Sequence, residues 1–100
     1  MDKYLVTLLP KAFRDLDDIY KYIATEIKDV NTANKIADVL EESIFSLETM
    51  PYRGAERKVG KYANKGYKQL FVKNFSVVYR IDEKNKTVIV VTVRFIPSEF

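Results

Sequence analysis

Gly66 to Asp82 reads GYKQLFVKNFSVVYRID, and this stretch decides the fold. Tyr67 to Val72 and Phe75 to Ile81 are rich in aromatic and β-branched residues and are separated only by Lys73-Asn74, the signature of two antiparallel strands joined by a tight turn. In the second of them Phe75, Val77, Tyr79 and Ile81 point one way and Ser76, Val78 and Arg80 the other. The apolar set is expected to pack on helices. A third strand, Thr87 to Phe95, follows after Asp82 to Lys86 and completes an antiparallel meander.

Working outward, Lys3 to Leu9 has strand character and stops at Pro10, a residue that fits the first turn of a helix. From Lys11 to about Lys28, Ala12, Leu16, Ile19, Tyr20, Ile23 and Ile27 recur at helical spacing, with Arg14, Asp15, Asp17, Asp18 and Lys21 on the other face. Asp29 to Thr32 supplies turn and N-cap residues. A second stripe, Ala33, Ile36, Ala37, Leu40, Ile44 and Leu47, runs to Pro51. A loop of roughly fifteen residues then leads into the meander, longer than most connections and for that reason a candidate for function. The expected fold is α+β, in the order β-α-α-β-β-β, with a helical hairpin packed on a small antiparallel sheet.

One hundred residues with 47% apolar content suit one domain with its own core. The chain has no Cys, His or Trp, so the usual zinc sites, cysteine nucleophiles, disulfide scaffolds and serine triads with a His base are excluded. No cofactor or metal is expected. Nothing at the N-terminus resembles a signal peptide and no apolar run is long enough to span a bilayer as a helix, so the expected location is cytoplasmic, with no membrane partner.

Charge is divided unevenly. Residues 51 to 100 hold Arg53, Arg57, Lys58, Lys61, Lys65, Lys68, Lys73, Arg80, Lys84, Lys86 and Arg94 against Glu56, Asp82, Glu83 and Glu99, a net of about +7, while residues 1 to 50 come to about −4. A polyanion suits the second half. Arg53, Arg57, Lys58, Lys61, Lys65 and Lys73 are candidate nucleic-acid or ribosome contacts, the plainer reading being a solvated surface. Tyr52, Tyr62 and Tyr67 interleave with these charges and are candidates for stacking on exposed bases, while Tyr4, Tyr20, Tyr22 and Tyr79 read as packing residues.

Three segments give the chain a resemblance to the RelE/ParE superfamily of bacterial toxin-antitoxin toxins. They are LxDIYKYIA from Leu16 to Ala24, Pro51-Tyr52-Arg53-Gly54, and GYKxL…NFxVxYRID from Gly66 to Asp82. The resemblance implies a toxin held inactive by a cognate antitoxin that wraps it, here expected to be acidic. It implies one of two activities: ribosome-dependent mRNA cleavage, as in the RelE and YoeB branches, or inhibition of DNA gyrase, as in the ParE branch. A silent member that only binds antitoxin is the third reading. Cleavage of mRNA on the ribosome is the leading expectation. The RNA-cutting branches imply an Arg where this chain has Ser76, and basic, His or Tyr residues where it ends Val93-Arg94-Phe95-Ile96-Pro97-Ser98-Glu99-Phe100. Lys68 stands at a basic position of the hairpin and Arg94 near the basic end.

Cleavage by attack of the 2′-hydroxyl needs a proton acceptor, positive charge for the phosphorane and an acid for the leaving oxygen. Lys68, Arg80, Arg94 and Glu56 are the candidate catalytic residues. Glu56 is the candidate base, against the plainer reading of a loop carboxylate paired with Arg57 or Arg53. Arg80 is expected on the open, non-helical face near Lys68 or its neighbours, where it contacts phosphate or pairs with Asp82 or Glu99.

Overall fold

The computed structural model describes residues 3–56 and 66–96. Five strands and two long helices follow in the order β1 (Leu5–Leu8), α1 (Pro10–Thr25), α2 (Val30–Phe45), a 3-10 turn (Ser46–Glu48), β2 (Ala55–Glu56), β3 (Tyr67–Val72), β4 (Phe75–Asp82) and β5 (Thr87–Phe95). The strands form one sheet in the order β1-β5-β4-β3-β2. The α+β class and the meander stand as expected. Two features correct the expectation: β1 joins the sheet parallel to β5, and part of the presumed loop is a strand, β2, antiparallel to β3 at the far edge.

Helix α1 starts with Pro10 in its first turn and ends at Thr25, three residues short of its expected end. Lys28 takes φ 59°, a left-handed conformation that no helix continues through, and Ile27 is left exposed. The Asp29 carboxylate caps α2, accepting from the Thr32 N–H at 3.0 Å and from the Thr32 hydroxyl at 2.7 Å. The hairpin and the 3-10 turn after it bring Ala12, Leu40, Ile44 and Leu47 into one core with Leu70, Val72, Phe75, Val77, Tyr79, Val88, Val90 and Val93 of the sheet. Each of the larger of these contributes about 1.5–3 kcal/mol through burial. Among the described residues no helix is long and apolar enough to cross a membrane.

Strand β5 changes phase midway. Val78 pairs with Thr92 but Tyr79 pairs with Val90, so Val91 is one residue extra and the core face of β5 runs Val88, Val90, Val93. Strand β1 accompanies β5 only as far as Val90. Beyond that point the β5 backbone needs another partner, and α1 supplies it. The Asp15 carboxylate accepts from the Val93 N–H at 3.1 Å and from the Thr92 hydroxyl, while Lys11 Nζ lies 3.1 Å from the carboxylate and from Thr92 Oγ1. Asp15, expected on the solvated face of α1, is thus turned toward the sheet. Partial burial pushes its carboxyl up, but the bonds from Thr92, the Val93 N–H and Lys11 outweigh this and hold it below its ordinary value.

A carboxylate whose folded pKa is depressed contributes stability that is complete above its unfolded pKa and lost as pH falls through the folded value. Asp15→Ala is expected to lower unfolding free energy by about 1–3 kcal/mol at neutral pH, because it orphans the Val93 N–H and the Thr92 hydroxyl. The gap between variant and wild type should begin to narrow below about pH 4, where the unfolded chain's Asp15 takes up its proton, and close as pH falls through the lower folded value. Urea unfolding at a series of pH values measures both.

Candidate functional site

The chain leaving α2 is held by one phenol. Tyr79 is wholly buried in the sheet, and its hydroxyl donates to the Pro51 carbonyl at 2.8 Å and accepts from the Gly54 N–H at 3.0 Å. Gly54 is needed there, since a Cβ would stand 2.5 Å from the Tyr79 hydroxyl oxygen and 2.7 Å from the Gln69 carbonyl oxygen. Burial raises the Tyr79 pKa above its ordinary value, against the opposing pull of the Gly54 N–H and Arg53, so the hydroxyl stays protonated at neutral pH. Pro51 is buried, and the next residue, Tyr52, is turned out with more than half its surface exposed.

Strand register sets what Tyr52 meets. Glu56 pairs with Lys68, and Lys68 pairs with Tyr79, so Glu56 and Lys68 stand side by side on the face that carries Tyr79. Lys68 Nζ lies 5.5 Å from the Tyr52 ring centroid, a cation–π contact worth about 0.5–1 kcal/mol at an exposed site. Arg53 donates to Ser46 Oγ at 2.6 Å, and Ser46 in turn donates to the Ser43 carbonyl. Among the described residues the result is a surface of one aromatic ring, two cations and one carboxylate, fixed from beneath by Tyr79.

The other candidate residues lie elsewhere. Arg80 pairs with Tyr67, one step out of phase with Lys68, and so projects from the opposite face of the sheet. Arg94 pairs with Ser76 on that same opposite face, four residues along β4 from Arg80, or about 13 Å. Lys73 sits exposed at the β3–β4 turn, at the Arg94 end, with φ 53°. The middle of this face is not open, because Ser76, Val78 and Thr92 are buried. The Ser76 hydroxyl has no hydrogen-bond partner among the described residues. Asp82 holds Asn85, accepting from its backbone N–H at 3.2 Å and its amide at 2.8 Å, and these bonds, with a smaller pull from the Arg80 charge, keep its carboxyl below the ordinary value. Arg57, Lys58, Lys61, Lys65, Tyr62 and Glu99 lie outside the described residues.

Of the four candidates for catalysis, then, Glu56 and Lys68 are brought together, Arg80 is on the far side of the sheet, and Arg94 is at its other end. A carboxylate beside an ammonium, with an exposed ring, can grip a partner by charge and stacking. Among the described residues no group of three His, Cys, Asp or Glu side chains is placed to hold a metal ion. Two residues that matter most to the site, Gly54 and the Tyr79 hydroxyl, are not marked by charge or reactivity in the sequence. Their signals are indirect: both fall in the segments that carry the family resemblance, and a Tyr among core residues needs a partner for its hydroxyl.

Tyr79→Phe is expected to lower stability by about 1–3 kcal/mol, since the Pro51 carbonyl and Gly54 N–H lose their partner in a buried place. Gly54→Ala should cost at least as much through the clash. Thermal denaturation of both variants, with exchange of the Gly54 amide proton speeding up in Tyr79→Phe, checks the tie.

A family model for the ParE toxin of type II toxin-antitoxin systems, parDE, matches residues 6–94. No curated protein matches the chain significantly. Among solved structures, the chromosomal ParDE toxin-antitoxin system of P. aeruginosa superposes with a TM-score of 0.77 at 22% identity, covering 95% of this chain and 98% of that one. The toxin-antitoxin complex RelBE2 of Mycobacterium tuberculosis gives 0.71 at 23% identity, covering 95% and 93%. The YoeB/ParE toxin of Agrobacterium tumefaciens gives 0.59 at 18% identity, covering 91% and 96%. These likenesses establish the fold.

Proposed function

The chain belongs to the ParE toxin family of type II toxin-antitoxin systems, and we propose that it arrests growth by binding DNA gyrase through the surface of Tyr52, Arg53 and Lys68, without breaking a bond in nucleic acid. The observation that carries this reading is the β3–β4 register, which sends Lys68 and Arg80 to opposite faces of the sheet. Phosphodiester cleavage needs base, acid and charge stabiliser around one phosphate, within hydrogen-bond reach of it. Of the four candidates for catalysis, Glu56 and Lys68 stand together while Arg80 and Arg94 stand apart from them on the other face. Ser76, standing where the RNA-cutting branches imply an Arg, is buried and adds nothing to either face.

Binding asks less of the geometry. An exposed aromatic residue beside a cation, next to a backbone that the Tyr79 hydroxyl ties down at Pro51 and Gly54, has the make-up common in an interface hot spot. The antitoxin, in this reading, is an acidic chain that covers the cationic half and competes with the target. Ribosome-dependent mRNA cleavage is the second reading, favoured by the cross-strand pair of Glu56 and Lys68 beside Tyr52. There the ribosome would supply the missing groups.

Induction of the chain without its antitoxin is expected to arrest growth and change plasmid supercoiling while mRNAs stay full length. Lys68→Glu and Tyr52→Ala should each weaken gyrase binding about tenfold or more, equal to about 1.4 kcal/mol, at little cost in thermal stability. Arg80→Glu, on the other face, should change binding little. Cuts within coding sequence on translating ribosomes, abolished by Glu56→Gln, would replace this reading with the second.

A further inference from the structure

The chain coils tightly as it leaves α2. The Met50 N–H donates to the Ser46 carbonyl at 3.1 Å, the Arg53 N–H donates to the Met50 carbonyl at 3.2 Å, and the Arg53 guanidinium donates to Ser46 Oγ. This short span carries Phe45, Met50 and Tyr52, each more than half exposed, while Ile44 and Leu47 between them are buried. Large apolar side chains concentrated on one exposed stretch mark a place of contact with another protein.

Charges of opposite sign stand on the two sides of this stretch. Toward the start of α2, Asp38, Glu41 and Glu42 line with Phe45 a recess of about 460 Å³, and helical spacing carries the acidic stripe from Asp38 through Glu42 to Ser46. At Ser46 the stripe meets Arg53, and beyond Arg53 come Tyr52 and Lys68. None of these three acids and two cations forms an ion pair among the described residues. A partner of a single charge would meet like charge on half of such a surface. A second copy of the same surface would not. Turned about a two-fold axis through the middle, a patch ordered acid, apolar, base lays acid on base at both ends and apolar on apolar at the centre.

We propose that two copies of this chain associate through this patch, with Phe45, Met50 and Tyr52 meeting about the two-fold axis and the cations Arg53 and Lys68 of each copy lying against the acidic recess of the other. The consequence for activity rests on the gyrase-binding reading above. The dimer covers Tyr52, Arg53 and Lys68, so the monomer is the form that binds the target, and the free toxin masks its own working surface when it accumulates. The patch is smaller than the roughly 20–30 residues a side of a standard interface, so a weak dimer is expected, with a Kd on the order of 10 µM.

Sedimentation equilibrium of the purified full chain, free of antitoxin and at concentrations spanning roughly tenfold either side of that Kd, tests the proposal. Wild type is expected to pass from monomer to dimer. The double variant Glu41→Lys, Glu42→Lys and the single variant Lys68→Glu should each weaken self-association about tenfold or more. An equimolar mixture of the two variants should dimerise again, because in the mixed dimer each contact once more joins opposite charges; this rescue separates a lost contact from a damaged fold. A wild type that stays monomeric throughout, or a dimer that neither variant weakens, would overturn the proposal and leave gyrase binding as it stands. Supercoiling assays are read separately. Glu41 and Glu42 lie outside the surface assigned to gyrase, so their double variant should inhibit as wild type does where both are monomeric. Dimerisation and rescue as described, with gyrase left fully active by the monomer, would uphold the dimer and overturn the gyrase reading.

Discussion

A phenol sealed from water must find its hydrogen-bond partners inside the protein, and the Tyr79 hydroxyl finds them at Pro51 and Gly54. Three parts of the molecule meet there. The ring belongs to the central strand and to the same buried core as Leu40 and Ile44 of α2; the hydroxyl fixes the chain that leaves α2; and that chain continues as β2 alongside Lys68. Without the tie the outward turn of Tyr52 and the placing of Glu56 beside Lys68 lose their support. The absence of a Cβ at Gly54 is what permits the approach, so a residue without chemistry governs a surface made of residues with it.

The opposite edge of the sheet solves a different problem. Strand β1 has four residues and β5 nine, so the longer strand outruns its neighbour. The uncovered backbone is finished by a side chain of α1. Asp15 stands in for a strand at Val93, at the place where the extra Val91 shifts the phase of β5 and lets Val93 join Val88 and Val90 in the core. Carboxylate, bulge and strand end form one unit, with Lys11 balancing the charge.

Much of this fold was legible because local patterns suffice for it. The apolar stripes of α1 and α2, the Asp29 cap, and the turns at Lys73-Asn74 and Asp82 to Lys86 all leave marks within a few residues. What escaped has no local mark. Parallel pairing of Leu5–Leu8 with Thr87–Val90 joins residues about eighty positions apart; a one-residue bulge is invisible to a period of two; and Ala55–Glu56 is too short to show a period at all. Asp15 lies three residues after Ala12 and four before Ile19, on the border of the buried stripe, where a charged residue reads as solvated. Residue types at the candidate site were legible, but their faces were only partly so. A two-residue turn pairs Val72 with Phe75, and counting outward from there places Lys68 with Tyr79 and Arg80 with Tyr67. Cations that look alike in the sequence end on opposite sides of the sheet.

That division of the cations underlies the central claim, that this toxin occupies its target instead of cutting it. The most direct measurement is a titration of purified toxin into two assays in parallel, DNA supercoiling by gyrase and translation of a defined mRNA on purified ribosomes. The account predicts that supercoiling falls in proportion to added toxin and stops falling once gyrase is saturated, with the mRNA intact throughout. Many mRNA molecules cut per toxin molecule, with supercoiling untouched, would contradict it.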